Sequence, residues 1–151
     1  MRIYLDNCCY NRPFDDRSVI RNYLERESIL LIFELAYEKH LSIVGSDVLE
    51  VEISNIMNIW KKDRVINIYN SIVDERVNVT ADLVKRAKII SEKIGSTPYD
   101  SLHLALAENN VEYMITTDRK LERASHRMEL TMEVINPIQF IMEVTKNDRS
   151  N

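Results

Sequence analysis

Residues 97–121, TPYDSLHLALAENNVEYMITTDRKL, decide the fold because they predict a helix, a strand and a second helix in immediate succession. The opening threonine suits an N-cap and the proline after it suits a first helical position, so a helix is predicted over 98–109. The apolar run EYMITT predicts a strand over 112–117, and helical spacing returns over 118–126. A short strand between helices is typical of a parallel sheet with helices packed on its faces.

The same alternation extends along the rest of the chain. Further strands are predicted near 2–5, 41–45, 76–79 and 131–135. Further helices are predicted near 17–39, 46–57, 58–73, 81–94 and 137–145. We therefore expect an α/β protein, a three-layer α/β/α sandwich built on a parallel sheet of about five strands.

The chain has 151 residues, of which 45% are apolar, and this is enough for one sizeable core but not for two. We predict a single domain over 1–146 and a short polar tail over 147–151. No run approaches the roughly 20 apolar residues that span a bilayer, and no secretory signal pattern opens the chain. We expect a cytoplasmic protein with no membrane partner, in which the neighbouring Cys8 and Cys9 stay reduced.

The formal net charge of -4 argues against a surface that attracts polyanions as a whole. Any contact with nucleic acid must therefore be local. Basic stretches occur at KKDR (61–64) and at DRKLERASHR (118–127), and the alternative for both is a solvated helix face.

Two aspartates follow predicted strands directly. Asp6 ends the first apolar run and Asp118 ends the run EYMITT, so both are expected at the edge of the sheet where parallel strands end. Ligands of such folds bind at this edge. Each aspartate also has a structural explanation, because aspartate is common in turns and is a favoured helix N-cap.

Two further carboxylates lie on predicted helices. Asp100 falls in the first turn of a helix that is apolar nearly all round and is therefore expected to be buried, although the helix dipole alone favours a carboxylate there. At about 100° per residue, Glu52 lies near the centre of the apolar stripe of its helix, whereas Glu50 lies on the opposite side and is expected at the surface. The alternative for Glu52 is a buried pairing with an arginine or a lysine.

These four carboxylates would converge on one edge of the sheet, and two unit charges ~4 Å apart repel by roughly 4 kcal/mol at an effective dielectric of about 20. Either some of them take up protons or a divalent cation neutralises them. A site of oxygen ligands suits Mg²⁺ or Mn²⁺ better than zinc. Such a cation activates water and stabilises charge on phosphate oxygens, so the first hypothesis is metal-dependent phosphodiester hydrolysis.

The motifs YLDNCCYNRPFDD, SDVLEVEISN, TPYDSLHLALAE and MITTDRKL, in this order over nearly the whole chain, resemble those of the PIN-domain nuclease family. The resemblance implies the sheet order 3-2-1-4-5 and ribonuclease activity on RNA. It implies that Asp6, Glu52, Asp100 and Asp118 bind the metal and catalyse, with the Thr117 hydroxyl orienting the last aspartate or a metal-bound water. Many small prokaryotic members are toxins held inactive by an antitoxin, often as dimers, so an antitoxin partner and a homodimer are expected.

The loop NRPFDD after the first strand resembles a subgroup of prokaryotic PIN proteins rather than the best-known toxins. Arg12 in this loop is a candidate for binding a substrate phosphate, and a salt bridge to Asp15 or Asp16 is the alternative. His103 lies one helical turn after Asp100, where it could hydrogen-bond that carboxylate or serve as a buried packing residue.

Other classes of protein fit the sequence less well. A haloacid-dehalogenase-type phosphatase needs a second aspartate two residues after the first, and Cys8 stands there. A response-regulator receiver needs an aspartate directly after its third strand, whereas RVNVTAD places Asp82 late. A catalytically silent PIN-like interaction or scaffolding module is the non-enzymatic alternative, and the presence of all four acids argues against it.

Overall fold

The computed structural model of the chain describes residues 1–149, with side chains described through residue 146. Its strands are β1 (Arg2–Leu5), β2 (Ser42–Ser46), β3 (Val73–Val77), β4 (Tyr113–Ile115) and β5 (Glu133–Ile135). Its α-helices are α1 (Asn7–Asn11), α2 (Ile20–Tyr37), α3 (Asp47–Ser54), α4 (Ile59–Ile72), α5 (Ala81–Ile94), α6 (Pro98–Ala107), α7 (Arg119–Ser125) and α8 (Pro137–Arg149). A 3₁₀ turn covers Arg12–Phe14.

The strands form one parallel sheet in the order β3-β2-β1-β4-β5. This confirms the predicted fold class and the strand order implied by the PIN resemblance. Strand β1 lies at the centre, where Tyr4 pairs with Val44 of β2 on one side and with Met114 of β4 on the other.

Helices cover both faces of the sheet. Helix α2 packs against α4 and α8, whereas α5 packs against α6. Right-handed crossovers explain this division, because the chain moves outward from β1 to β3 and then returns across the sheet to β4. The central strand is buried on both sides, with Ile3, Tyr4 and Leu5 fully inaccessible to solvent.

The sequence prediction of the third strand is wrong in its position. The strand was expected near 76–79, but β3 begins at Val73, directly after the last residue of α4. Asp74, Glu75 and Arg76 in this edge strand are exposed, so no apolar run marks its start. The Asp74 carboxylate accepts a hydrogen bond from the Ile43 amide at 3.1 Å, at an irregularity in the β2–β3 register.

The expected loop after the first strand is instead mostly helical. Asp6 caps α1 by accepting the Asn7 amide hydrogen bond at 2.8 Å, and burial of Cys9 and Tyr10 holds this short helix on the core. The proline of NRPFDD then begins the 3₁₀ turn. A five-residue helix is too short for its sequence pattern to predict it, and its stability comes from packing.

The end of the described chain belongs to α8, which runs through Arg149. The predicted tail therefore begins within this helix at residues 147–149, and its last two residues lie outside the described part. Both cysteines are free thiols. Over the described residues, no helix combines the length and the apolar character needed to cross a membrane.

Candidate active site

Asp6 lies at the point where the two central strands end. Its backbone amide bonds the Ile115 carbonyl at 3.0 Å, so the residue after β1 is fixed beside the end of β4. Its side chain is buried and accepts hydrogen bonds on both oxygens, from the Asn7 amide on Oδ1 and from the Thr116 hydroxyl on Oδ2 at 2.9 Å. Both oxygens are thus held toward the carboxyl edge of the sheet.

Asp118 lies across the same edge and is the N-cap of α7. Its Oδ1 accepts the amide hydrogen bonds of Lys120 at 3.0 Å and Leu121 at 3.1 Å. The Thr116 hydroxyl that donates to Asp6 also accepts from the Asp118 amide at 3.1 Å. One hydroxyl therefore links the two aspartates, and the N-cap role of Asp118 still leaves Oδ2 outside the capping bonds.

Asp100 is half-buried in the first turn of α6, whose N-cap Thr97 accepts the Asp100 amide hydrogen bond at 3.2 Å. Burial raises the pKa of the Asp100 carboxyl, and the negative charges of Asp6 and Asp118 raise it further. Hydrogen bonding to Thr97 and the charge of His103 act in the opposite direction. The three aspartates predicted from the sequence therefore share one electrostatic environment.

Glu52 faces this edge from α3 and pairs with a histidine. His103 Nε2 forms a short hydrogen bond with Glu52 Oε1, and His103 Nδ1 bonds the Tyr4 hydroxyl at 2.6 Å. The Tyr4 hydroxyl continues to Ser46 Oγ at 2.8 Å. This chain of hydrogen bonds, which we call the Glu52 network, joins β1, α3 and α6 in the interior.

His103 is 1% exposed, and its surroundings favour the protonated ring. Burial by itself lowers the pKa of His103, but the hydrogen bond to Glu52 and the charges of Asp6, Glu52 and Asp100 outweigh burial and raise it. His103 Nε2 lies 4.0 Å from Asp6 Oδ1. The sequence suggested a bond from His103 to Asp100, whereas the structure gives that bond to Glu52.

Glu50 and Glu52 face different surroundings, as the helix phase predicted. Glu50 pairs with Arg76 on the outer side and accepts a hydrogen bond from the Tyr69 hydroxyl at 2.7 Å. The Arg76 guanidinium lowers the pKa of the Glu50 carboxyl. Val51, which was placed on the buried stripe, is 48% exposed.

Arg12 points into an ion-pair cluster instead of standing free. Its guanidinium lies 2.9 Å from Asp15 and 3.4 Å from Glu25, whose side chain is fully buried. Arg21 at 3.3 Å and Asn136 at 2.7 Å also bond Glu25. The salt-bridge alternative to phosphate binding is therefore present at Arg12, with Glu25 as a partner that the sequence did not suggest.

Thr117 is buried beside the site, where its amide donates to Cys8 Sγ at 3.3 Å. The hydroxyl contact to both aspartates belongs to Thr116, one residue earlier in ITTD. Sequence reasoning missed Thr116 because the motif holds two threonines and the end of a strand does not reveal which side chain turns toward the neighbouring aspartate. It also missed Asn7, whose amide lies 3.5 Å from Glu52 Oε2.

The donors fit a hard divalent cation in chemistry, since Asp6, Glu52, Asp100 and Asp118 offer only carboxylate oxygens. The mutual repulsion that raises the pKa of Asp100 is the repulsion that a cation relieves. As the side chains stand, no group of three His, Cys, Asp or Glu in the described residues is close enough to enclose an ion. The acids are instead held by Thr116, His103 and backbone amides.

The fold is similar to that of two solved structures. One is the crystal structure of VapBC2 from Rickettsia felis bound to a DNA fragment from their promoter, with 14% identity, 90% of this chain and 98% of that chain covered, and a TM-score of 0.62. The other is FitAcB from Neisseria gonorrhoeae, with 14% identity, 89% and 97% coverage, and a TM-score of 0.55. No protein-family model and no curated protein matches the chain.

At this level of identity the likeness is one of fold. It covers nine-tenths of the chain and agrees with the observed strand order, so the chain has a PIN-like α/β fold with carboxylates gathered at the carboxyl edge of β1 and β4.

Proposed function

We propose that the protein is a metal-dependent endoribonuclease that hydrolyses RNA phosphodiester bonds at the carboxyl edge of its sheet. The observation that supports this most strongly is the convergence of Asp6, Asp100 and Asp118, which come from distant parts of the chain. Asp6, Glu52, Asp100 and Asp118 would hold Mg²⁺ or Mn²⁺. When bound, such an ion supplies a water of lowered pKa and stabilises charge on phosphate oxygens.

The residues of the chain have separate tasks in this proposal. Thr116 fixes Oδ2 of Asp6 and the backbone at Asp118, so that these two carboxylates keep one relative position. The Glu52 network fixes the fourth carboxylate from the opposite side. Asp100 has the raised pKa and is the carboxyl best suited to hold a proton near a reacting oxygen.

A protein partner is part of the proposal. Both similar structures are toxin–antitoxin complexes, and VapC is a PIN-domain toxin. We propose a cytoplasmic toxin that an antitoxin holds inactive and that forms a homodimer. Copurification of the protein with the product of the neighbouring gene, and light scattering of the purified chain, test these two points.

The second candidate is a catalytically silent PIN-like interaction module, and one observation favours it. Glu52 is already paired with His103, so the site stands partly neutralised without a metal. In an active enzyme the Glu52 carboxylate must leave this hydrogen bond or share it. In a silent module the pair is permanent, and metal leaves both groups unchanged.

Cleavage of structured and single-stranded RNAs in Mn²⁺ tests the proposed activity. We expect cleavage by the wild type and none by Asp6→Asn or Asp118→Asn, with folding unchanged because both substitutions remove repelling charge. Glu50→Gln is the matched control for Glu52→Gln, since the two glutamates lie on one helix and only Glu52 bonds His103. Metal-dependent cleavage by Asp6→Asn would remove that residue from the site, and an inactive wild type would favour the silent module.

A further inference from the structure

A cavity of about 580 Å³ opens beside the candidate active site. Asp100 and Asp118 lie in one part of its wall, and the turn between α5 and α6, residues 94–97, forms another. Helix α7 and the residues after it contribute three basic side chains, Lys120, Arg123 and Arg127. The cavity thus joins the acidic edge of the sheet to a basic wall.

The three basic residues follow a helical spacing of three and four, which places them along one side of α7 and its continuation. All three are exposed, and none pairs with a carboxylate in the described residues. Arginines elsewhere in the chain do form such pairs, namely Arg2, Arg12, Arg21, Arg26, Arg76 and Arg86. The positive charge on this wall is therefore available to a ligand.

Arg127 is also fixed in position. Its guanidinium donates to the Ile94 carbonyl at 2.8 Å, so it bridges from the end of α7 to the end of α5. A guanidinium has five N–H donors, and one bond to a carbonyl leaves the others for further acceptors. Arginine held in this way is well suited to phosphate oxygens.

We propose that this cavity binds the sugar–phosphate backbone of single-stranded RNA and leads it to the carboxylates; this rests on the ribonuclease function proposed above. The chain as a whole carries a net charge of -4, so a polyanion needs a local basic surface, and this wall supplies it at the site. The cavity has the size of a small-molecule site, which admits a nucleotide but not a duplex. The acidic part of the wall repels phosphates, so the strand enters with its backbone along α7.

Binding of a short fluorescein-labelled single-stranded RNA in EDTA, measured by anisotropy between about 50 and 200 mM NaCl, tests the proposal without requiring cleavage. Single strands give a log–log salt slope of about -0.7 per phosphate contact, so three contacts predict about -2 for the wild type. Lys120→Gln, Arg123→Gln and Arg127→Gln should each weaken binding and reduce the slope by about 0.7. Lys88→Gln, an exposed lysine of α5 outside the cavity, is the control and should leave the slope unchanged.

An unchanged slope in both Arg123→Gln and Lys120→Gln would overturn the proposal, and so would an equal loss in Lys88→Gln, which would mean diffuse attraction. Tighter binding of duplex RNA than of the single strand would also overturn it. The proposed function fails separately. A wild type that binds with the expected slope but never cleaves in Mn²⁺ keeps the strand path and loses the nuclease, whereas cleavage by variants with wild-type slopes loses only the path.

Discussion

The Glu52 network predicts opposite effects for two conservative substitutions in the core. The Tyr4 hydroxyl bonds His103 Nδ1 at 2.6 Å and Ser46 Oγ at 2.8 Å, and all three groups are buried. Tyr4→Phe keeps the ring but leaves the imidazole nitrogen without that partner. A buried polar atom that loses its hydrogen bond costs about 1–3 kcal/mol. The Tyr10 hydroxyl, also fully buried, has no hydrogen-bond partner in the described structure, so Tyr10→Phe removes an unsatisfied group.

We expect Tyr4→Phe to lower the free energy of unfolding by about 2 kcal/mol, equivalent to a fall in Tm of roughly 4–8 °C for a chain of this size. We expect Tyr10→Phe to be neutral or to raise stability by up to about 1 kcal/mol. Urea denaturation followed by circular dichroism measures both, and an unchanged m-value shows that the two states are comparable. The reasoning is refuted if Tyr4→Phe is as stable as the wild type, or if Tyr10→Phe is destabilised to the same extent.

Three further predictions concern the surroundings of the site. Gly45→Ala should lower stability by about 1–3 kcal/mol in urea denaturation, because its Cβ would lie 2.8 Å from a tyrosine ring carbon and 2.9 Å from a valine methyl; wild-type stability would show that this contact relaxes freely. Arg12→Ala should cost about 3 kcal/mol by thermal unfolding, because it removes one partner of the buried Glu25; a stable variant with weaker RNA binding would restore the phosphate role. The lowered pKa of Glu50 makes its pairing with Arg76 stabilising above the unfolded value of about 4.3, with loss on acidification through the folded pKa, so Arg76→Gln should flatten stability between about pH 6 and 3 in low salt; parallel curves would contradict this.

The sequence predicted the fold well where apolar runs were continuous. The central strand and the strand at Tyr113–Ile115 are buried on both faces, so their residues read as uninterrupted apolar stretches. The start of β3 at Val73 escaped prediction because an exposed edge strand carries charges. Helix α1 escaped because its stability comes from the Asp6 cap and the burial of Tyr10, neither of which is a local pattern.

The candidate site was predictable in its acids but not in their partners. Helix phase separated Glu52 from Glu50, and strand ends identified Asp6 and Asp118. The bond from His103 to Glu52 joins residues 51 positions apart, and no spacing rule predicts it. Such contacts depend on how helices cross over the sheet, which a single sequence does not specify.

The most direct test of the central claim is the effect of Mn²⁺ on stability. If the four carboxylates hold a cation, the wild type should gain stability with increasing Mn²⁺, by about 2.7 kcal/mol at a hundred times Kd, in thermal or urea unfolding. Asp6→Asn and Asp118→Asn should lose most of this gain, and Glu50→Gln should keep it. A wild type whose unfolding is unchanged in millimolar Mn²⁺ would contradict the account.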